Sequence, residues 1–343
     1  MGKVVIVGAG IIGLYTALLL SERGMGSDIT VVAKNLPGDL SIEYTSPIAG
    51  AHFTPAFGGG DERITRFGPL SYPLLKFLFK KFENELEEAG LARLPQVEYF
   101  EEPLDSKQVD SFRYVETLEI ITDKDDLARN KAAFGMRSVT FNFNSPKLLL
   151  FLKKYLEKQG VTFIKTAIKR LTDAPSAASV PDPSVVFNCT GFLAPQLEDF
   201  SDSSSNYPVR GQTVAIRAPW INSTYVYDPV NDPPTYVIPR PYSNGRVILG
   251  GYFDKGDTTS GTTYEQSQSI IARTTERVPE LLKHGPLEVI DERAGLRPGR
   301  DGGPRIEREN LDGLPVIHNY GAGGVGYLCG LAMAQEAINL FYG

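Results

Sequence analysis

The distribution of apolar and polar positions divides the chain into short runs and helical stripes. Residues 3–7 form a β-branched apolar run, and residues 11–23 carry Ile12, Leu14, Leu18 and Leu19 at helical spacing. A second apolar run covers 28–33, so the pattern predicts strand, helix and strand within the length of a βαβ unit. Residues 72–89 predict a helix with Leu74, Leu75, Phe77, Leu78 and Phe82 on one side, and 137–143 predict a strand. Asn144-Ser145-Pro146 then starts a helix through Gln159, with Ser145 as its cap, Pro146 at the first helical position and Gly160 as its stop. Strands are expected over 161–165 and 185–189, and β-type segments over 212–217, 235–238 and 246–253. Three prolines with Asp and Asn make 222–234 a loop. Thr262 is expected to cap a helix over 262–277, with Glu265 three residues on, and 326–341 form a closing amphipathic helix. Strand-helix segments at both ends thus enclose a β-rich middle, which suggests a discontinuous α/β domain with a second domain inserted in it.

Composition narrows the classes without choosing among them. With 343 residues, 42% hydrophobic and 22% charged, the chain has the make-up of a globular protein of one large or two ordinary domains. A net charge of −6 argues against a nucleic-acid binder. Two cysteines, Cys189 and Cys329, are too few for a disulfide scaffold and suit a reducing compartment. The apolar stretch 4–20 is interrupted by glycines and followed by no small-residue cleavage site, so neither a signal peptide nor a membrane span is expected. Met1-Gly2 lacks the Ser or Thr at position 6 that myristoylation wants, and the sequons at Asn188 and Asn222 are sequons in form only. The expected location is intracellular, cytoplasmic or peroxisomal, although Phe341-Tyr342-Gly343 is no peroxisomal address.

Gly8-Ala9-Gly10-Ile11-Ile12-Gly13 follows a predicted strand and opens a predicted helix. In that context Gly8 makes the tight turn, Gly10 admits a pyrophosphate to the backbone, and Gly13 lets helix and strand pack closely. The free N–H groups of the helix start then face the anion. A plain glycine-rich turn is the alternative. The acid usual at the end of the second strand is missing, since the positions read Ala33-Lys34-Asn35. Asn35 suits a ribose, and Lys34 suits a phosphate or solvent; the departure weakens NAD and does not select NADP.

Further motifs accompany the fingerprint: Ser46-Pro47-Ile48-Ala49-Gly50-Ala51-His52-Phe53-Thr54-Pro55, Val186-Phe187-Asn188-Cys189-Thr190-Gly191, Pro208-Val209-Arg210-Gly211-Gln212, Tyr236-Val237-Ile238-Pro239-Arg240-Pro241, Gly295-Leu296-Arg297-Pro298, and His318-Asn319-Tyr320-Gly321 leading into Gly323-Gly324-Val325-Gly326. Together they make the chain resemble the D-amino acid oxidases, FAD flavoproteins, nearly end to end and most closely in their fungal form. The resemblance implies a Rossmann-like FAD-binding domain over 1–60, 144–205 and 285–343, and a sheet-based substrate domain over 61–143 and 206–284. Arg297 matches the family's carboxylate-binding arginine, and a bidentate guanidinium is the group such a substrate asks for. Tyr236 matches a carboxylate-contacting tyrosine, Phe253 a pocket-lining aromatic, and Gly324 the backbone carbonyl that accepts from the amine. His52 is expected as a pocket-wall or flavin-edge residue and not as a base. Ala56, aromatic in some fungal relatives, is expected to widen the pocket.

For the cofactor, the resemblance implies contacts from Gly8, Ala9, Gly10, Ile11, Ile12 and Gly13. It adds Ala33, Lys34 and Asn35, Thr45 and Ser46, Ala49, Gly50 and Ala51, and Ile168, Thr190 and Gly191. Arg297, Gly323, Gly324, Gly326, Tyr327 and Leu328 complete the set, and no metal is implied. Arg300, Arg305 and Arg308 are expected to be solvated. The implied reaction is hydride transfer from Cα of a D-amino acid to the flavin, without a protein acid or base, followed by reoxidation by O2 with formation of hydrogen peroxide. The imino acid hydrolyses to a 2-oxo acid and ammonia. D-aspartate oxidases of the same likeness carry extra arginines, one at the position of Phe253, so neutral, largely apolar D-amino acids are expected over D-aspartate. A D-aspartate oxidase, a flavin amine dehydrogenase and a non-catalytic nucleotide sensor are the alternatives. A small-molecule substrate is the expected partner, with no nucleic acid and no membrane, and a homodimer is left open.

Overall fold

The strand Val4–Val7 has no polar face, and the fold gives it none. Val4 and Ile6 pack into one core with the helices Ile11–Leu20, Ser145–Lys158 and Gly326–Tyr342, while Val5 and Val7 face a second core built on Leu171, Ala174 and Ala178. A strand covered on both sides suits the centre of a parallel sheet. Ile29–Ala33 pairs with it on one side and Val185–Asn188 on the other, both parallel. Thr162–Lys165, Leu314–Tyr320 and Arg305–Leu311 complete a six-stranded sheet. The residues after Val4–Val7 and Val185–Asn188 therefore emerge side by side at the carboxyl ends of neighbouring strands, where open α/β sheets bind ligands. The computed structural model describes residues 2–57 and 61–343; Met1 and the expected boundary at residue 60 lie outside the described residues.

The second sheet has nine strands and is mainly antiparallel. Its longest pairing joins Asn206–Arg217 to Glu288–Arg300. The latter strand was expected in the first domain, from residue 285; it lies in the second sheet, and the chain returns to the first only beyond Arg300. Alternation sorts the sheet's two faces. Val237, Val247 and Leu249 pack under the helix Tyr264–Arg277 through Ile270, whereas Tyr236, Ile238 and Ile248 face the other way. That second face closes over the end of the first sheet and leaves a cavity between them.

Several local expectations shift for identifiable reasons. Asn144, not Ser145, caps its helix by accepting from the Lys147 N–H, and the Ser145 hydroxyl donates to the carbonyls of Pro47 and Ala49. Thr263, not Thr262, caps the helix Tyr264–Arg277. The stretch expected as a loop contains the strand Thr224–Asp228, held between two neighbours that the local composition does not reveal. The helix expected over 72–89 runs as Phe67–Lys81 with a separate turn Leu86–Ala89, and Phe77 faces solvent. Arg300 and Arg305 are not solvated: Arg300 grips Asp202 through two nitrogens, at 2.9 and 2.8 Å, and Arg305 pairs with Glu307 and Glu309. Tyr320 also donates to Asp202, so the crossing between the sheets is fastened by an ionic cluster. Arg308 is exposed. Among the described residues, no helix is long and apolar enough to cross a membrane.

Candidate active site

The cavity has a volume of about 910 Å³ and runs from the end of the first sheet to the inner face of the second. At one end the fingerprint turns between strand and helix. Gly8 has φ +111°, a conformation that disfavours side chains, and a Cβ there would overlap the carbonyl of Cys189, just past the end of the neighbouring strand. Gly13 does not line the cavity; a Cβ on it would overlap the carbonyl of Gly8, so its role is close packing of helix on strand. Gly10 has no side chain to cap the helix, and the Ile11 N–H donates instead to the hydroxyl of Ser46 at 3.0 Å. The N–H groups of Ile12 and Gly13 precede the first i→i−4 bond of the helix. Two tyrosines hold the turn: Tyr44 donates to the carbonyl of Ala9 and Tyr327 to that of Ser46.

Ala9, Ile11, Ile12, Ala33, Lys34, Asn35, Thr45, Ser46, Ala49, Gly50, Ala51, Ile168, Thr190 and Gly191 all line this cavity with Gly8 and Gly10. Thr45 directs its hydroxyl proton to the carbonyl of Leu296, which ties the cradle to the second sheet. Lys34 is paired with Glu43 at 2.6 Å, and Glu43 lines the cavity. The cavity thus has an acid, Glu43, ten positions beyond Ala33 at the end of the second strand, where no spacing rule points. A backbone cradle, free helix N–H groups and a long groove fit a dinucleotide.

At the other end, Arg297 and Tyr236 converge from different strands of the second sheet. Glycines opposite them make the room. A Cβ on Gly211 would overlap the Arg297 guanidinium, and one on Gly250 would overlap the Tyr236 ring. Arg297 donates from Nη1 to the carbonyl of Tyr252 at 2.9 Å, and its guanidinium lies 4.0 Å from the centre of the Phe253 ring. No carboxylate among the described residues forms an ion pair with it. Desolvation holds the arginine below its usual range, and the same burial raises Tyr236 while the neighbouring guanidinium opposes that rise. A buried guanidinium without a carboxylate partner can receive an anion.

The turn 321–325 is tied to this strand by the Gly323 N–H, which donates to the carbonyl of Pro298. Gly324 consequently sits beside Arg297 and Phe253, where a Cβ would lie 3.5 and 3.6 Å from them. Gly323, Gly326, Tyr327 and Leu328 line the same cavity, as does Ala56. His52 lines it too, and its Nε2 is buried with no hydrogen-bond partner among the described residues. Desolvation lowers this imidazole to about 4, so it is neutral at physiological pH. Burial pushes the Cys189 thiol up to about 12, and it stays protonated. Among the described residues, no cluster of His, Cys, Asp and Glu could hold a metal.

Glu98, Thr54 and Asp228 also line the cavity, and none was expected. The strand Leu91–Phe100 that carries Glu98 contains Pro95, which argues against a strand in the sequence. In the fold, Pro95 pairs with Val139 on one side only, because the strand beyond it begins opposite Gln96.

The model of a family described as FAD dependent oxidoreductase matches residues 3–340. A D-amino-acid oxidase of Schizosaccharomyces pombe is 37% identical over 343 residues, covering 98% of this chain and 95% of that protein. A D-aspartate oxidase of Cryptococcus neoformans is 30% identical, covering 98% of this chain and 96% of the other. Among solved structures, a glycine oxidase from Geobacillus kaustophilus superposes with a TM-score of 0.77 at 18% identity, over 99% of this chain and 94% of that one, which shows a common fold.

Proposed function

The chain belongs to the FAD dependent oxidoreductase family, and from that premise we propose that it binds FAD and oxidatively deaminates neutral D-amino acids to 2-oxo acids, with O2 as the electron acceptor. The observation that carries this reading is Arg297, an ion-pair-free guanidinium beside the phenol of Tyr236, in one cavity with a glycine cradle. FAD, when bound, supplies the acceptor for the hydride lost from the substrate. The chain's own part is to bind and orient. The guanidinium has donors free for an α-carboxylate in the fork geometry that favours bidentate pairing. The Tyr236 hydroxyl adds a neutral donor, and the carbonyl of Gly324 offers the amine an acceptor. Fixing two substituents at Cα leaves one hydrogen and one side chain, and their placement sets the handedness accepted. Burial makes His52 a weak base and keeps the Cys189 thiol protonated.

Among the described residues, Arg297 is the single arginine lining the cavity. Among the described residues, no second arginine thus lines the cavity to receive the side chain of D-aspartate, which supports neutral substrates over acidic ones. The purified protein is expected to be yellow, to bleach on anaerobic addition of D-alanine, and in air to yield about one peroxide per amino acid consumed. A colourless protein, or a flavin that D-alanine leaves oxidised, would overturn the reading. Substrate without peroxide would point to another electron acceptor.

Gly211→Ala tests the arrangement without removing a charged group. The overlapping atoms belong to the far end of a flexible side chain, so the arginine shifts and the backbone stays. KM for D-alanine is expected to rise by roughly tenfold or more, since displaced charge-assisted bonds are worth about 1.5–3 kcal/mol. The melting temperature is expected to move little. An unchanged KM would mean that the arginine position seen here is not the one that binds.

A further inference from the structure

Glu98 is 3% exposed, yet it makes no ion pair among the described residues. One oxygen, Oε2, accepts from the Thr54 hydroxyl at 2.6 Å and from Gln96 at 3.2 Å. The other, Oε1, has no hydrogen-bond partner among the described residues. Gln96 Oε1 beside it and His52 Nε2 on the cavity wall are buried with no hydrogen-bond partner among the described residues. A carboxylate placed out of water with only neutral donors is costly to keep unless something completes it.

Register places this acid relative to the arginine. Glu98 pairs with Val226, Val226 pairs with Tyr236, and all three line the cavity from one face of the sheet. Two strand spacings separate the backbones of Glu98 and Tyr236, about 10 Å. Asp228 lies two residues beyond Val226 on the same face, exposed but still lining the cavity, and its charge raises the Glu98 carboxyl. Burial contributes most to that rise, to about 7, as for an acid lacking its counter-ion. The cavity therefore has a cation without an anion at one end and an anion without a cation along the same wall.

We propose that Glu98, with Asp228 beside it, forms a side-chain subsite that receives the distal cation of a basic D-amino acid such as D-lysine, whose α-carboxylate is held at Arg297. This rests on the oxidase reading for the placement of the α-carboxylate and extends the substrate range beyond neutral side chains. A four-carbon chain ending in an ammonium reaches further along this wall toward Glu98 than a short side chain does. An acidic side chain meets two carboxylates.

The test uses the flavin-loaded protein and two pairs of compounds. Calorimetric titration compares 6-aminohexanoate with hexanoate, which differ only in the distal ammonium and need no turnover. The amino compound is expected to bind about tenfold more tightly, and Glu98→Gln to remove most of that preference. In turnover, the kcat/KM ratio of D-lysine to D-norleucine is expected to exceed unity and to fall about tenfold in the same variant. Hexanoate binding as tightly as its amino analogue in the unaltered protein would overturn the proposal, and needs no variant to fold. A Glu98→Gln ratio that stays constant because both substrates weaken together would also overturn it, assigning Glu98 to the α-amine instead. Failure of the oxidase reading is separate: D-alanine and D-lysine would both go unoxidised while the preference in binding persisted.

Discussion

Arg297→Ala is expected to keep its FAD and lose at least two orders of magnitude in kcat/KM for D-alanine, roughly 3 kcal/mol of transition-state stabilisation. The argument rests on where the residue stands. It belongs to the strand Glu288–Arg300 of the second sheet, away from the glycine cradle that holds the dinucleotide. It has no carboxylate partner to orphan, so its removal leaves one unpaired acceptor, the carbonyl of Tyr252, and relieves an uncompensated charge. Stability should therefore change little, while the substrate loses the group that fixes its orientation. Arg297→Lys should fall between the two, because it restores the charge without the planar fork. Steady-state kinetics alongside the flavin spectrum checks both statements. Activity within threefold of the parent would remove Arg297 from the site, and a colourless variant would make its role structural.

Gly13→Val should have the opposite signature: loss of flavin first, with activity following. The atom in its way is the backbone carbonyl of Gly8, which cannot rotate aside as a side chain can. Accommodating the new side chain requires the helix Ile11–Leu20 to move off the strand Val4–Val7, which pulls the helix start and its N–H groups out of the groove. Overpacking of this kind costs about 1–3 kcal/mol or more. The lost anion contacts should weaken FAD by roughly a hundredfold on top of that, about 2.7 kcal/mol. Flavin content after dialysis and the melting temperature of the flavin-free protein separate the two effects. Stoichiometric flavin with an unchanged melting temperature would contradict the packing role of Gly13.

What could be read directly from the chain is what forms locally. The βαβ opening is legible because its apolar periods, its glycines and its helix start lie within about thirty residues. Gly160 could be assigned as a helix stop for the same reason; it has φ +94° at the end of Ser145–Lys158. Arg297 and Tyr236 were legible through motifs around them, although no local rule separates Arg297 from Arg300. One of these faces the cavity and the other is locked to Asp202. That difference arises from alternation in a strand whose register is set by Asn206–Arg217, far away in sequence.

Glu98 marks the limit most clearly. Its neighbours on the chain include Pro95, and nothing near it distinguishes it from an exposed acid. Its burial is decided by Phe134–Phe143 on one side and Thr224–Asp228 on the other, and its place in the cavity by the row that runs on to Tyr236. Sequence alone pointed to the glycine turn and to Arg297, because each depends on contacts between near neighbours or on a recurring motif. Only the tertiary structure decided which acids share the cavity with that arginine, because hydrogen-bonded register between distant strands, and not spacing along the chain, chooses the face on which a side chain emerges.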